Sequence, residues 1–338
     1  MNNYNTMEGE MYEYSQWKAI HHQSRLKKLK EGDLISPTEV KIGLTTNCNQ
    51  KCNFCYNKLN NLQHHTLDTK RVLKLLEEAK EFDVKAIHLT GAGEPTVHKD
   101  FNLIVSKIND LHLELGVVTN GYVLDSEIKN LATWVRISID AFSKETYRIM
   151  HGVEKREDSY FEKLCSNSKA VFGASFIITE NNYKEIFDFV RWAKEIGFKN
   201  VRISPVHTSK GTQVLNQFWN ECIEQIEKAN ELNGKDFRMF TQFERYDILE
   251  GKKVSFKECL WQQFSAYIWA DGSIFPCCEI QSNRQACLGN IYNGDFKEIW
   301  MNRTLHSAKN CNVECLFANK NEFIEYLISD NPSDVNFV

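Results

Sequence analysis

The chain lacks any uncharged apolar run approaching the roughly 18 residues that a bilayer span requires. Its N-terminal segment, residues 1–15, is polar and acidic and lacks the apolar stretch of a signal peptide. We therefore expect a cytoplasmic protein with no membrane partner.

Proline is scarce, with 5 residues among 338, and no low-complexity tract interrupts the chain. Hydrophobic residues make up 42% and charged residues 25%, which is typical of a folded globular protein of roughly two structural units. Neither sign of charge dominates, because 41 Lys and Arg stand against 45 Asp and Glu. Without a global positive field, generic nucleic-acid binding is disfavoured.

Cysteine, by contrast, is plentiful at 11 residues. Because the cytosol keeps thiols reduced, clustered cysteines in such a protein favour metal binding or redox chemistry over structural disulfides. The spacing of these cysteines is therefore informative.

From residue 39 onward, short β-branched runs alternate with helical patterns. Strands are predicted at 39–45, 84–90, 114–119, 134–139, 174–179 and 200–204, and helices at 67–82, 101–111, 125–132, 143–150 and 183–196. A repeating βα order predicts a parallel sheet covered by helices on its outer face. The predicted fold class is α/β, with a partial (β/α)6 barrel.

The βα rhythm changes after a helical pattern at residues 214–232. Residues 267–275 predict a β-hairpin with a type I′ turn at Asp271-Gly272. We predict three segments: an N-terminal extension (1–38) with a docked amphipathic helix at 12–31, the barrel (39–235), and a small cysteine-rich module of a hairpin and a helix (250–338).

Three cysteines follow the first predicted strand in a CxxxCxxC spacing: Cys48, Cys52 and Cys55. Three thiolates from one loop can surround one metal centre and leave one coordination position open, as a catalytic site requires. A zinc site completed by a distant His or Cys is the alternative. With Phe54 before the last cysteine, the motif resembles that of the radical S-adenosylmethionine (SAM) superfamily. The resemblance implies a [4Fe–4S] cluster on these cysteines, whose open iron binds SAM and cleaves it to a 5′-deoxyadenosyl radical.

Other strand ends resemble the SAM-binding segments of that superfamily. Residues 90–95 resemble its GGEP motif, which implies that Gly91, Gly93 and Glu94 receive the SAM amino group; a turn with a surface glutamate is the alternative. The residues that the resemblance places in the adenosine and methionyl pocket, or that otherwise cap strand ends, are Thr119, Asn120, Ser138, Asp140 and Ser204.

A second group of cysteines resembles the SPASM/twitch extension of part of this superfamily, with Gly272 inside a CX12GX4C segment. The resemblance implies an auxiliary [4Fe–4S] cluster on Cys259, Cys277, Cys311 and Cys315. Cys278 and Cys287 compete for the fourth ligand position, and a structural zinc site is the alternative. Cys165 and Cys222 lie in helical patterns and are expected to be inert buried thiols.

The resemblance implies a radical SAM oxidoreductase that abstracts hydrogen from a substrate C–H, with the auxiliary cluster taking up the substrate's electron. We expect oxidation or epimerisation of a small molecule and an electron donor such as flavodoxin or ferredoxin. One alternative is a maturase that modifies a peptide or protein side chain. A non-enzymatic alternative is a zinc-binding interaction protein.

Overall fold

A computed structural model describes residues 15–55, 63–206, 211–242, 256, 258–281, 283–307, 311, 315 and 317–330, with residues 211–214 described as backbone only. The predicted helix start at 12–14, the predicted module start at 250 and the segment 331–338 lie outside the described residues. The three-segment division stays a prediction.

Seven strands follow one another in parallel along the sheet. They are β1 (Glu39–Ile42), β2 (Ala86–Leu89), β3 (Glu114–Thr119), β4 (Trp134–Ser138), β5 (Val171–Ile178), β6 (Asn200–Pro205) and β7 (Arg238–Thr241). The first six confirm the predicted βα order and the α/β fold class. The seventh was not predicted, because a four-residue strand without β-branched alternation gives little signal.

Three further strands extend the sheet beyond β1: β8 (Ser265–Ile268), β9 (Ser273–Phe275) and β10 (Gly289–Asn290). β8 pairs in parallel with β1, and β9 pairs antiparallel with both β8 and β10. The hairpin therefore continues the barrel sheet instead of forming a separate one. This pairing brings the cysteine-rich module to the β1 side of the barrel.

The predicted hairpin is confirmed, but the predicted type I′ turn is wrong. The amide of Gly272 donates to the carbonyl of Trp269 at 2.8 Å, and the amide of Trp269 donates to the carbonyl of Ser273 at 2.8 Å. Gly272 has φ +87, whereas Asp271 lacks the positive φ that a type I′ turn needs. A three-residue loop with glycine in the left-handed position is the next most common hairpin connection.

Ten helices are described, largely where the periodicity predicts them. They are α1 (Gln23–Lys30), α2 (Thr69–Glu81), α3 (Phe101–Asp110), α4 (Ile128–Leu131), α5 (Lys144–His151), α6 (Asp158–Cys165), α7 (Ile186–Ile196), α8 (Trp219–Asn230), α9 (Phe296–Met301) and α10 (Ala318–Ile328). In α2 the buried residues Val72, Leu75, Leu76 and Ala79 recur at helical spacing and face the sheet. Cys165 was predicted to lie in a helical pattern, and α6 ends there, although no bounds were predicted for this helix. The first part of the predicted 214–232 helix is a 3₁₀ segment, Gly211–Phe218.

The N-terminal helical segment packs on the C-terminal helix, as a docked amphipathic helix should. A 3₁₀ turn, Gln16–His22, leads into α1. Trp17 packs edge-on against Phe323 of α10, with the ring centroids 4.7 Å apart. Leu29, Ile35 and Ile324 share a small buried core with Leu260 and Phe264, which precede β8. The two ends of the described chain therefore stabilise each other.

Candidate functional site

The site lies at the carboxyl ends of the strands, where the loops of a parallel barrel converge. The cysteine loop, residues 43–55, leaves β1 there. The end of α5 holds this loop, because the amide of Lys51 donates to the carbonyl of His151 at 2.9 Å and that of Asn53 to Met150 at 3.0 Å.

Within the cysteine loop the three thiols are close enough to affect one another. Burial raises the pKa of Cys52, and Cys55 and Cys48 raise it further. The Sγ atom of Cys52 lies 3.1 Å from Nδ1 of His151, whose Nε2 lies 2.8 Å from the carbonyl oxygen of Ile139. The loop thus presents three grouped thiols, one of them fixed by a buried imidazole, which fits three-cysteine ligation.

The segment after β2 packs directly on the cysteine loop. A Cβ atom on Gly93 would lie 2.2 Å from the carbonyl oxygen of Asn47, so only glycine fits there. The amide of Glu94 donates to the same carbonyl at 2.9 Å. Gly93 therefore serves the contact between two loops, while Gly91 lines the cavity described below.

The carboxylate of Glu94 is buried, with 3% of the residue exposed, and protein groups surround it. Its Oε1 accepts hydrogen bonds from the amide and the hydroxyl of Thr96 at 3.1 and 2.7 Å and from the hydroxyl of Thr119 at 2.6 Å. Its Oε2 accepts the amide of Asn120 at 2.6 Å. A carboxylate offers about four acceptor positions, and the donors that fill them come from the ends of β2 and β3. Glu94 therefore links the two strand ends. Its predicted contact with the SAM amino group stays a prediction.

We expect Glu94→Ala to lower the free energy of unfolding by about 1–3 kcal/mol, because buried donors lose their acceptor. Any direct contact with SAM would add a loss of SAM affinity. Chemical denaturation and calorimetric titration with SAM measure the two effects separately. Thr119→Val, which removes one of the four donors to Glu94 and the acceptor of the Gly121 amide, is the control and should cost less. Unchanged stability with lost SAM affinity would contradict the linking role.

The other residues predicted to bind SAM differ in what their side chains contact. Ser204 lines the cavity beside Gly91, and its hydroxyl donates to Oε1 of Gln242 at 3.1 Å. Ser138 ends β4, with its hydroxyl 3.5 Å from that of Ser175. Thr119, by contrast, is bound to Glu94 and is almost fully buried.

The side chains of Asn120 and Asp140 form hydrogen bonds with other groups of the protein. The side-chain amide of Asn120 donates to Oδ1 of Asn49 at 2.7 Å and approaches the Cys48 thiol at 3.8 Å. Asp140 has φ +56 and accepts the amide of Ile177 at 2.8 Å, and burial raises its pKa to about 7. Both residues therefore position strand ends around the cysteine loop.

The second cysteine group converges on one apolar cavity, which we call the auxiliary cavity. It is lined by Cys259, Cys277, Cys311 and Cys315, together with aromatic residues such as Trp261 and Phe317. Burial raises the pKa of Cys315 to about 12, and Cys259 and Cys311 contribute. A [4Fe–4S] cluster held by four thiolates places each of them on a different iron. The four thiols fit such a cluster.

Cys278 and Cys287 lie outside the auxiliary cavity. Both pack against a different buried cluster that contains Tyr267 and Trp269. The thiol of Cys287 donates to the carbonyl of Gly289 at 3.2 Å. Their predicted competition for the fourth ligand position finds no support in this arrangement.

A larger cavity of about 470 Å³, the central cavity, lies inside the barrel. Cys55 of the cysteine loop and Cys278 of the cysteine-rich module both line it. It is also lined by basic side chains that sequence reasoning missed: Lys41, His88, Arg136, Arg202 and Lys320. The sequence did contain a signal for four of these basic residues, because each of them interrupts an apolar strand at an inward-facing position.

Two sequence-family models match the chain. Residues 42–209 match the Radical SAM superfamily, and residues 259–322 match an iron–sulfur cluster-binding domain, SPASM. The chain belongs to the radical SAM superfamily. This radical SAM enzyme accordingly has as cofactors SAM, a SAM-binding [4Fe–4S] cluster and an auxiliary cluster. The predictions of family, fold class and cofactors are confirmed, and a zinc-binding interaction protein is no longer supported.

The names of curated relatives of this radical SAM protein refer to different activities. It is 25% identical over 219 residues to a probable GTP 3′,8-cyclase of Saccharolobus islandicus, covering 59% of this chain and 69% of the relative. It is 24% identical over 254 residues to a tungsten-containing aldehyde ferredoxin oxidoreductase cofactor-modifying protein of Pyrococcus furiosus, covering 69% of each chain. These names do not agree on a substrate.

Solved structures share the fold of this radical SAM protein. Streptococcus suis SuiB bound to S-adenosylmethionine matches with a TM-score of 0.66 and 18% identity, over 86% of this chain and 71% of SuiB. The structure named anSMEcpe with bound AdoMet matches with a TM-score of 0.55 and 18% identity, over 87% and 84%. Within the described part of the chain, no helix is long and apolar enough to span a membrane.

Proposed function

We propose that this enzyme removes a hydrogen atom from a C–H bond of a small molecule bound in the central cavity, and that net oxidation follows. The observation that carries the proposal is that Cys55 and Cys278 line the same cavity. Cys55 belongs to the loop that is proposed to hold the first cluster. Cys278 follows Cys277, which lines the auxiliary cavity. A substrate between them would be within reach of both centres.

In this proposal Cys48, Cys52 and Cys55 hold the first cluster, and Gly91 and Ser204 contact SAM. When bound, SAM and that cluster supply a 5′-deoxyadenosyl radical. The buried Glu94, Thr119, Asn120 and Asp140 keep the strand ends in place, as their hydrogen bonds indicate. Ser138 and Gly93 complete the proposed SAM region.

Cys259, Cys277, Cys311 and Cys315 hold the auxiliary cluster in this proposal. Cys277 is next to Cys278, and Glu279 and Phe317 line both the auxiliary cavity and the central cavity, so the two cavities adjoin. This adjacency gives a short path for the electron that a substrate loses on oxidation. Flavodoxin or ferredoxin is proposed as the donor to the first cluster.

A volume of about 470 Å³ lies within the roughly 300–1,000 Å³ of small-molecule sites. Epimerisation of a small molecule is the second outcome that such a cavity allows. Modification of a peptide or protein side chain is the alternative substrate class, since a neighbouring structure is named SuiB bound to precursor peptide SuiA. That likeness is one of fold, and we favour the small molecule.

The test supplies the reconstituted, reduced enzyme and SAM with either the small-molecule fraction or the peptide fraction of a cell extract, under anaerobic conditions. We expect 5′-deoxyadenosine without added substrate, and faster formation with the small-molecule fraction. Stimulation by the peptide fraction alone would favour the maturase. Absence of 5′-deoxyadenosine from fully iron-loaded enzyme would contradict the proposed reaction.

A further inference from the structure

Four strands of the barrel share a three-residue pattern in which a basic side chain lies between two buried apolar ones. The central residues are Lys41 in β1, His88 in β2, Arg136 in β4 and Arg202 in β6. Each apolar neighbour is at most 1% exposed and belongs to the core. Because side chains alternate along a strand, the basic residues point to the opposite face, into the barrel.

All four basic residues line the central cavity, and Lys320 of α10 joins them. Among the described lining residues, the formal charges are four positive, on Lys41, Arg136, Arg202 and Lys320, and one negative, on Glu279. Lys41 also contacts Glu39 at 3.1 Å. Even with that ion pair included, the surroundings of the cavity carry a net positive charge.

His88 adds a polar group to this positive cavity. Its Nε2 atom is buried and has no hydrogen-bond partner among the described residues. Burial lowers the pKa of His88 to about 3, so the imidazole is neutral. A neutral imidazole has one donor and one acceptor nitrogen, and a buried polar atom without a partner is costly unless a ligand satisfies it.

These basic residues lie deeper in the barrel than the proposed SAM contacts. His88 precedes Thr90, and Arg202 precedes Ser204, by two positions on the same strand face, which is roughly 7 Å along the strand. Thr90 and Ser204 are closer to the strand ends, where the cysteine loop lies. A group bound by Arg136 and Arg202 would therefore lie deeper in the cavity than Thr90 and Ser204.

We propose that Arg136 and Arg202 bind an anionic group of the substrate, a phosphate ester or a carboxylate, in the central cavity. This inference rests on the proposed function, because it names the substrate class of the same cavity. Arginine suits the role, since its planar guanidinium forms two parallel hydrogen bonds with either anion.

The test uses anaerobically reconstituted enzyme with SAM bound and no reductant, so that SAM stays intact. Pyrophosphate and succinate are titrated separately by calorimetry, at ionic strength matched with sodium chloride. We expect saturable binding of at least one anion to the wild type. Arg136→Gln and Arg202→Gln should each weaken it about tenfold or more, because a charge-assisted contact is lost. Binding of pyrophosphate alone indicates a phosphate ester, and binding of succinate alone a carboxylate.

Arg191→Gln is the matched control, because Arg191 is exposed on α7 and pairs with Asp188 at 2.8 Å outside the cavity. This variant should bind the anion like the wild type. If neither anion binds saturably, or if the control loses as much affinity as the cavity variants, the proposal is wrong.

Titration with SAM tests whether the arginine binds the substrate anion or the carboxylate of SAM. We expect unchanged SAM affinity in Arg202→Gln; a parallel tenfold loss would assign the arginine to the SAM carboxylate and overturn the proposal. If the buried Arg136 does not tolerate glutamine, Arg202→Gln decides, since Arg202 is only partly buried. Formation of 5′-deoxyadenosine by the reduced wild type is assayed separately, so failure of the proposed reaction is distinguishable from failure of anion binding.

Discussion

Alanine at Cys48, Cys52 or Cys55 is expected to abolish reductive cleavage of SAM. A cluster with two protein ligands cannot hold its open iron in place, and the loop offers no further thiol. Among the proposed ligands, Cys52 is held by His151, whose Nδ1 lies 3.1 Å from the Sγ atom of Cys52. Anaerobically reconstituted variants are assayed for 5′-deoxyadenosine, and normal turnover in any of the three would refute the assignment.

Cys165→Ala is the matched control for this series. Cys165 ends α6 and packs near Gly197, away from both cysteine groups. The variant loses one thiol of the same kind but none of the proposed ligands. We therefore expect wild-type iron content and wild-type SAM cleavage.

Alanine at Cys259 or Cys315 is expected to remove the auxiliary cluster and to spare the first one. Iron content should fall from about eight to about four per chain, because each [4Fe–4S] cluster carries four irons. The auxiliary cavity is separate from the cysteine loop, so these variants should still cleave SAM. They should not complete an oxidised product, because the proposed electron acceptor is gone. Iron, sulfide and zinc are measured alongside 5′-deoxyadenosine.

Cys278→Ala and Cys287→Ala are the controls for the auxiliary cluster. Both thiols pack against the cluster of Tyr267 and Trp269 and not in the auxiliary cavity. Iron should stay at about eight in both. A fall to about four in Cys278→Ala, with full loading of Cys315→Ala, would mean that the cavity does not define the ligand set.

The sequence alone was sufficient for the family, the cofactors and the order of the barrel. Cys48, Cys52 and Cys55 lie within one short loop, so their spacing in the chain nearly fixes their spacing in space. The βα order is likewise local, because each strand and helix is encoded by its own periodicity. The hairpin was predictable for the same reason, although its turn type depended on the φ angle of Asp271.

Only the tertiary structure decided which distant residues meet. Cys259 and Cys315 are far apart in the chain, and both line the auxiliary cavity in the fold, whereas Cys278 and Cys287 do not. The four donors around the carboxylate of Glu94, which come from Thr96, Thr119 and Asn120, likewise could not be predicted from the sequence. The inward-facing Arg136 and Arg202 form one positive surface only because the closing sheet turns separate strands toward a common interior. Local sequence patterns determine where helices and strands form. The charge of a cavity and the position of the ligating side chains around it depend on contacts between helices and strands that are distant in the chain.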